Sequence, residues 1–202
     1  MTKKISRIRH HVNPLADRTE HSFNGFENEK PIIVDVGADR GEFTEQLLEK
    51  FGSTKNFIVF EIRKPLAEKL REKFSAYDNV VVFDGDANRN FASVLTPCIE
   101  GSTYIEVIYI NFPDPWVKER QKKRRFLNEQ FLKEMKNVVS KKTKWIFQTD
   151  HKQLFTETVV LLRENNVQNI SFFSKPPYGF TTKWEDAKIK EGKEIYRLSF
   201  HV

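Results

Sequence analysis

The chain has 202 residues, with 34 Lys and Arg against 28 Asp and Glu, which gives a formal net charge of +6. Hydrophobic residues make up 39% and aromatic residues 13% of the chain, enough apolar material for one folded domain, so a disordered chain is excluded. The single cysteine, Cys98, cannot form an internal disulfide, which points to a reducing compartment. The apolar runs are too short to cross a membrane, and the N-terminal residues do not resemble a secretory signal. We therefore expect a cytoplasmic protein without a membrane partner.

Residues 1–29 are polar, contain Pro14 and show no sustained hydrophobic period, which predicts a flexible basic N-terminal arm. A single domain over residues 30–202 follows, in which short apolar runs alternate with stretches of helical spacing. The predicted strands are 31–36, 56–61, 79–84, 104–112, 144–149, 170–173 and 195–200, and the predicted helices are 42–51, a segment with Leu66, Leu70 and Phe74, 126–139 and 154–163. This alternation is typical of an α/β fold with a parallel sheet covered by helices on both faces.

The first predicted strand ends in a glycine-containing loop, Asp35-Val-Gly37-Ala-Asp39-Arg-Gly41. Glycines at such a position allow a tight turn and a close approach of the backbone to a ligand. The Gly37-x-x-x-Gly41 spacing differs from the dinucleotide-binding fingerprint, and the loop lacks the Lys-Ser/Thr pair of a phosphate-binding P-loop. The loop therefore favours a nucleoside ligand without phosphates.

Acidic and polar residues also follow the second and third strands, at the sheet edge where open α/β folds bind their ligands. Glu61 comes about 20 residues after the loop, a position suited to ribose hydroxyls. The residues after the third strand suit the edge of a purine. These acids would repel the pyrophosphate of a dinucleotide, so the set favours S-adenosylmethionine. The candidate cofactor-binding residues are Asp35, Gly37, Gly41, Glu61, Asp86, Ala87 and Asn88.

The segment after the fourth strand is the most specific part of the chain. Pro113 and Pro115 flank Asp114 and restrict the backbone on both of its sides, and Trp116 follows directly. A run of cations comes next, formed by Lys118, Arg120, Lys122, Lys123, Arg124 and Arg125. A charge run is often only a solvated helix face. A second basic cluster within residues 3–11 nevertheless favours a polyanionic partner, of which nucleic acid is the foremost example.

These residues resemble the tRNA (guanine-N7-)-methyltransferase family, whose hallmark is a Pro-Asp-Pro-Trp-x-Lys segment followed by a Lys-Arg-Arg run. Here Pro113–Lys118 and Lys123–Arg125 match it. Weaker matches, in the family's order, run from the arm to near the C-terminus. They are Arg7-x-Arg9, the glycine loop, Glu61-Ile-Arg63, Asp86-Ala87-Asn88, Thr149-Asp150 and Thr182-Lys183-Trp184-Glu185.

The resemblance implies a Rossmann-like class I fold that uses S-adenosylmethionine, with a mostly parallel seven-stranded sheet and helices on both faces. The chain departs from the family pattern at four positions. Asp35 replaces a usual Glu, Asp39 replaces the middle glycine of the loop, Trp184 replaces a Phe and Gln121 replaces a frequent His. The acids of the motifs are all present, so an active enzyme is expected.

The implied reaction is methyl transfer from S-adenosylmethionine to N7 of the guanine at position 46, in the variable loop of tRNA. The resemblance makes Asp114 the candidate catalytic residue, and Trp116 would either stack on the base or pack in the fold. The candidate substrate contacts are Lys118, Asp150, Thr182, Lys183 and Glu185. The candidate contacts to the RNA backbone are Arg7, Arg9, Lys122, Lys123, Arg124 and Arg125. No metal is expected, and either a monomer or a homodimer is compatible with the sequence.

Three other functions are compatible with parts of the sequence. A methyltransferase acting on another RNA or on a protein would share the glycine loop and the acids. An RNA-binding protein that keeps the fold without catalysis is favoured only by Asp39, which introduces a charge into the loop. A nicotinamide-dependent oxidoreductase is disfavoured by the spacing of the loop glycines.

Overall fold

The computed structural model describes residues 12–100 and 103–202. The strands are β1 Ile32–Val36, β2 Asn56–Glu61, β3 Val80–Asp84, β4 Ile105–Asn111, β5 Lys144–Thr149, β6 Gln168–Phe172 and β7 Tyr196–His201. The helices are α1 Glu42–Phe51, α2 Lys64–Lys73, α3 Ala87–Glu100, α4 Glu119–Lys122, α5 Glu129–Val138, α6 Lys152–Glu164 and α7 Lys183–Lys190. The strands form one sheet in the order β3-β2-β1-β4-β5-β7-β6. Strands β1 to β5 pair in parallel, and β7 runs antiparallel between β5 and β6.

Helices cover both faces of the sheet. Alternate side chains of a strand point to opposite faces, so β1 and β2 must be apolar at nearly every position. One face packs against α3, α5 and α6, through buried residues such as Phe91, Leu132 and Leu162. The opposite face packs against α1 and α2, through Leu47 and Leu70. The expected α/β fold with a mostly parallel seven-stranded sheet is confirmed.

Two helices of eight residues or more were not among those predicted from the sequence, α3 and α7. Helix α3 buries Phe91, Leu95 and Cys98 on one side and contains Pro97 in its last turn. A proline there removes a backbone donor and lowers the helical signal of the segment, but tertiary packing of the apolar side sustains the helix.

Residues 12–29, predicted as part of the flexible arm, lie against the domain. Phe23 and Phe26 pack against the core on the α3 side of the sheet, and the ring centroids of Phe23 and Phe83 are 5.7 Å apart. The amide of His21 donates to Oδ1 of Asn90 at 2.7 Å. This part of the segment is therefore held by burial of aromatic side chains. Residues 1–11 lie outside the described part of the chain.

The two outer strands, β3 and β6, each have an irregular or covered outer edge. Nε of Arg71 donates to the carbonyl oxygen of Val82 in β3 at 3.1 Å. In β6 the pairing register shifts between Gln168 and Ser171, and Asn169 has a left-handed backbone with a φ of 55°. A side chain covers part of one edge, and an irregularity interrupts the other.

Gly41, which precedes α1, is required by packing. Its φ is 77°, and a Cβ built there would lie 2.6 Å from Cδ2 of Leu70 and 2.9 Å from Cζ of Phe74. Gly179 has the same φ, but a Cβ there would meet nothing within 4 Å among the described residues beyond its chain neighbours.

We expect Gly179→Ala to lower the free energy of unfolding by about 1–2 kcal/mol, which is the cost of the left-handed backbone alone. Gly41→Ala should lower it by about 1–3 kcal/mol more, because the added methyl group overpacks the contact with α2. Chemical denaturation of both variants measures the difference. Equal losses would contradict the packing role of Gly41.

Candidate active site

The loop between β1 and α1 turns at the carboxyl edge of the sheet with three residues in the left-handed region. Gly37, Asp39 and Gly41 have φ values of 80°, 51° and 77°. The amides of Gly37 and Ala38 donate to the carbonyl oxygen of Phe60 at 2.8 and 3.1 Å, which holds the loop beside β2. A Cβ at Gly37 would meet no described atom within 4 Å beyond its chain neighbours. The loop therefore leaves open space over Gly37, whereas Gly41 faces α2.

Glu61, the last residue of β2, is only 1% exposed, and both of its carboxylate oxygens accept hydrogen bonds. The amide of Asp39 donates to Oε2 at 2.9 Å, and the amide of Arg63 donates to Oε1 at 2.8 Å. The Arg63 guanidinium contacts both oxygens, and it also contacts Oδ1 of Asp39 at 2.8 Å. Burial opposes the charge of Arg63, but the two carboxylates raise its pKa overall.

Asp39, which replaces the middle glycine of the loop, keeps the left-handed backbone of that position and contacts Arg63. Aspartate tolerates a left-handed backbone better than most residues do. Its charge is compensated by Arg63, for which the sequence predicted no role of its own.

Asp35 lies in β1 below the loop and is 3% exposed. Burial raises the pKa of Asp35 from its ordinary value of 3.8 to about 6. The hydroxyl of Thr44 donates to Oδ2 at 2.6 Å and partly offsets this rise, while the negative charge of Glu61 adds to it. The fold therefore opposes the ionisation of Asp35.

The polar residues predicted after the third strand lie where α3 begins. Oδ1 of Asp86 accepts from the amide of Asn88 at 3.2 Å, and the amide of Asp86 donates to Oδ2 of Asp17 at 2.8 Å. Nδ2 of Asn88 donates to the carbonyl oxygen of Phe126 at 3.0 Å. Burial raises the pKa of Asp86, and the carboxylate of Asp17 adds to the rise. The segment with Asp17 thus packs against the candidate purine side of the site.

The segment after β4 leaves the sheet through two unusual backbone positions. Phe112 and Trp116 have φ values of 51° and 39°, a region that bulky residues rarely adopt because it costs about 1–2 kcal/mol each. Between them lie the two prolines and the half-buried Asp114. The motif loop, defined here as Phe112–Trp116, is therefore a stiff turn. Backbone strain of this kind clusters at functional sites.

Cations from the basic run fasten this motif loop to the domain. The guanidinium carbon of Arg124 lies 5.0 Å from the centroid of the Trp116 ring, a cation–π contact. Nε of Arg125 donates to the carbonyl oxygen of Pro115 at 2.9 Å. Trp116 accordingly has Arg124 over one of its faces.

Two cations of the basic run are bound by Glu157 of α6. Nζ of Lys122 lies 2.8 Å from Oε1, and the guanidinium of Arg125 pairs with Oε2. The hydrogen bond from Lys122 and the charge of Arg125 lower the pKa of Glu157 to about 2. Lys118 and Lys123, in contrast, are exposed at the surface. The basic run thus contains cations that are paired with Glu157 and cations that are exposed to solvent.

The remaining candidate substrate contacts come from the end of β5 and from α7. Lys183 pairs with Glu42 at the start of α1, which brings α7 close to the loop after β1. Nε1 of Trp184 donates to Oδ1 of Asp150 at 3.4 Å. Asp150 and Lys183 are therefore brought to the same edge of the sheet as the glycine loop.

Glu185 is fully buried and pairs with Arg197 of β7. Its amide donates to Oγ1 of Thr182, which caps α7. Burial raises the pKa of Glu185, and the charge of Arg197 partly offsets this effect. Arg197 was not singled out from the sequence. The available signal was a charged residue between Tyr196 and Leu198 in a predicted strand.

Residues 12–100 and 103–202 show neither a membrane-spanning helix nor a metal-binding cluster. Within these ranges no helix is both long and apolar enough to cross a membrane. The same residues contain no group of three or more His, Cys, Asp and Glu that could hold a metal ion. The candidate RNA contacts Arg7 and Arg9 lie outside the described residues.

Solved structures share this architecture at low sequence identity. An antibiotic-related methyltransferase superposes with a TM-score of 0.61 at 16% identity, covering 88% of this chain and 89% of that one. The chain thus shares the Rossmann-like α/β fold and sheet of that methyltransferase.

Sequence comparison narrows the class to a family. A family model described as "Putative methyltransferase" matches residues 29–198. The tRNA (guanine-N(7)-)-methyltransferase of Lactobacillus acidophilus is 31% identical, over 94% of this chain and 88% of that protein. The enzyme of the same name from Prochlorococcus marinus is 30% identical, over 96% of both. The chain belongs to the tRNA (guanine-N(7)-)-methyltransferase family, as the motif loop predicted.

Because the pKa of Asp35 is raised in the folded chain, the free energy of unfolding should depend on pH. A carboxyl group whose pKa is higher in the folded chain binds more protons there, so it destabilises the fold as pH rises from about 4 to about 6. Asp35→Asn removes this cost and can still accept from Thr44. We expect the variant to be about 1–3 kcal/mol more stable than the wild type at pH 7.5.

Denaturation curves at pH 7.5 and pH 4 measure the effect. The advantage of Asp35→Asn should shrink at pH 4, where the wild-type carboxyl is protonated in most folded molecules. An advantage that does not depend on pH would contradict the assignment.

Proposed function

We propose that the chain transfers the methyl group of S-adenosylmethionine to N7 of the guanine at position 46 of tRNA. The observation that carries the proposal is the place of Asp114. β1 and β4 are neighbours at the point where the strand order reverses, and open α/β folds bind ligands in the crevice at that point. The glycine loop follows β1 and the motif loop with Asp114 follows β4, so the two loops flank this crevice.

The donor half of the proposed site comprises the ends of β1, β2 and β3. The open space over Gly37 fits a ligand that approaches the backbone closely. Glu61 would accept from the ribose hydroxyls of the donor in place of the Arg63 guanidinium, and Asp86 would accept from the adenine. Asp35, Gly41, Ala87 and Asn88 would shape the floor and the sides of this half. S-adenosylmethionine supplies a methyl group activated by a sulfonium charge.

Asp114 is proposed to stabilise the charge that develops on the base. N7 of guanine has an in-plane lone pair, so no side chain has to remove a proton before the methyl group is accepted. As the methyl group leaves the sulfonium sulfur and bonds to N7, the sulfur would become neutral and the purine ring would become cationic. A carboxylate already fixed beside the ring stabilises that charge without reorganisation, and this is the largest contribution such a residue can make. Asp150 and Thr182 would complete the contacts to the base and its ribose.

The RNA surface is proposed to centre on the exposed cations. Lys118 and Lys123 would contact phosphates directly, with Lys183 at the opposite rim of the crevice. Lys122 and Arg125 would act chiefly by holding the motif loop through Glu157 and Pro115. Arg7 and Arg9 would extend the basic surface. Because the target base has to leave its tertiary contacts to be methylated, recognition would depend on tRNA shape and backbone.

The first experiment uses purified protein, radiolabelled S-adenosylmethionine and two unmodified tRNA transcripts, one with guanine and one with adenine at position 46. We expect label only in the guanine transcript, recovered as 7-methylguanine. Equal label in both transcripts would reject the position. Absence of label together with absence of donor binding would reject the function.

Replacement of Asp114 tests its charge. We expect Asp114→Asn to lower kcat by about 100- to 1,000-fold, the range found when one group that stabilises a transition state is removed. The dissociation constants of donor and tRNA should change little. Asp78→Asn, an exposed acid just before β3 at the opposite edge of the sheet, is the matched control. Full turnover by Asp114→Asn would show that its charge is not needed.

Lys122 is paired with Glu157 and Lys123 is exposed, so replacing each should change the salt dependence of tRNA binding by a different amount. Each lost phosphate contact reduces the slope of log K against log salt concentration by about 0.7–0.9. We expect this reduction for Lys123→Ala but a smaller one for Lys122→Ala, because Glu157 already binds Lys122. Titrations of tRNA between about 50 and 200 mM salt compare the two variants. Equal slopes for both would contradict this distinction between the two lysines.

A further inference from the structure

A row of polar side chains crosses three adjacent strands next to the motif loop. Asn111 of β4 is the register neighbour of Gln148 of β5, and Gln148 is the register neighbour of Arg197 of β7. Nε2 of Gln148 donates to Oδ1 of Asn111 at 2.6 Å, and Nε of Arg197 donates to Oε1 of Gln148 at 2.7 Å. Gln148 and Arg197 are buried, so these hydrogen bonds form away from solvent.

The arginine determines the direction of every hydrogen bond in the row. A guanidinium can only donate, so Gln148 has to present its oxygen to Arg197 and its NH2 group to Asn111. Asn111 in turn has to present its oxygen to Gln148. The orientation of both amides is therefore imposed from β7, and neither can turn over without losing a buried hydrogen bond.

One end of the row fixes the start of the motif loop. Asn111 is the last residue of β4, and the amide of the next residue, Phe112, donates to the carbonyl oxygen of Gln148 at 2.8 Å. Gln148 thus holds two consecutive residues, one through its side chain and one through its backbone. Asp114 lies two residues beyond Phe112, across Pro113, so a displacement of Asn111 is transmitted along a stiff chain.

The other end of the row fixes α7. Arg197 pairs with the buried carboxylate of Glu185 and donates from Nη1 to the carbonyl oxygen of Ser174 at 2.6 Å. One guanidinium therefore contacts β5, α7 and the segment after β6. Arg197 therefore links the motif loop, through Gln148, to α7, through Glu185. The proposed site takes its contacts to the guanine from these two regions.

We infer that Arg197 is a positioning residue, which sets the place of Asp114 through Gln148 and Asn111 and ties it to α7 through Glu185. The inference rests on the proposed function for its catalytic consequence, but the mechanical link can be measured without a substrate. Arg197 lies within the sheet and acts through its neighbours. Replacement of a buried ion pair by apolar side chains often leaves stability unchanged, so stability alone does not require this row.

The test compares Gln148→Met with the wild-type enzyme. Methionine has a similar shape but breaks the link between Arg197 and Asn111, while the pair with Glu185 remains. We expect kcat on tRNA to fall by about 10- to 100-fold, because displacement of a catalytic group by about 1 Å has a cost of this order. The KM for tRNA and the dissociation constant of S-adenosylmethionine should stay within about threefold, because the donor half is not altered. Amide hydrogen exchange should become faster in residues 112–118.

Thr143→Val is the matched control. Thr143 is buried next to the start of β5, at the opposite edge of the sheet, and its hydroxyl donates to the carbonyl oxygen of Ile105 at 2.8 Å. This variant loses one buried side-chain hydrogen bond, where Gln148→Met loses two, and it also loses some thermal stability. It should keep its kcat and the wild-type exchange rate in residues 112–118. If the row had only a structural role, Gln148→Met would also keep its kcat and the wild-type exchange rate in residues 112–118. That result would overturn the inference.

Arg197→Lys provides a second variant that keeps a cation beside Glu185 but cannot span Gln148 and Ser174 together. It should reproduce the lower kcat and the faster exchange, and it decides the question if Gln148→Met does not fold. Wild-type protein without methyl transfer to tRNA would reject the proposed function. The exchange rates would still decide the link, since unchanged exchange in both variants rejects it.

Discussion

The parallel pairing of the five strands from β1 to β5 is the constraint on which the rest of the structure depends. Strands that are hydrogen-bonded in this way and covered on both faces have to be apolar along their length, so they can place polar chemistry only where they end. Parallel strands also end at the same edge. Glu61, Asn111 and Thr149 therefore lie at the same edge of the sheet, although they are far apart in sequence. The site is a direct consequence of this geometry.

Charge compensation at this edge follows a common scheme. Glu61, Asp84 and Glu185 are each buried and paired with an arginine from the adjacent structure. In these pairs the arginine offsets the desolvation of the carboxylate, and it does so with directional hydrogen bonds that fix the local backbone. Asp35 does not follow the scheme, because its hydrogen-bond partner is a threonine hydroxyl instead of an arginine, and burial raises its pKa to about 6. Carboxyl groups with a pKa perturbed in this way cluster at binding and catalytic sites, which agrees with the proposed place of Asp35 in the donor half of the site.

The sequence was sufficient for the features whose signal is local. Continuous apolar runs identify the strands of the sheet, and the residues from Pro113 to Lys118 identify the family. Helix α3 was missed because Pro97 weakens its pattern, although burial of one side sustains it. The contacts of Glu157 with two cations of the basic run join positions more than 30 residues apart, so no local pattern reveals them. Glu185 and its partner Arg197 are only 12 residues apart, but one lies in a helix and the other in a strand, so no local pattern reveals this pair either.

The outer edges of the sheet limit how two copies of this chain could associate. An exposed, regular outer strand invites pairing with another chain, since its backbone donors and acceptors have no partners within the sheet. In β3 the guanidinium of Arg71 donates a hydrogen bond to the carbonyl oxygen of Val82. In β6 the left-handed backbone of Asn169 interrupts the regular spacing of the backbone donors and acceptors. Growth of the sheet across a subunit boundary is therefore disfavoured at both sides. We therefore expect a homodimer of this chain to form through side chains of its helices and loops, with each sheet still seven strands wide.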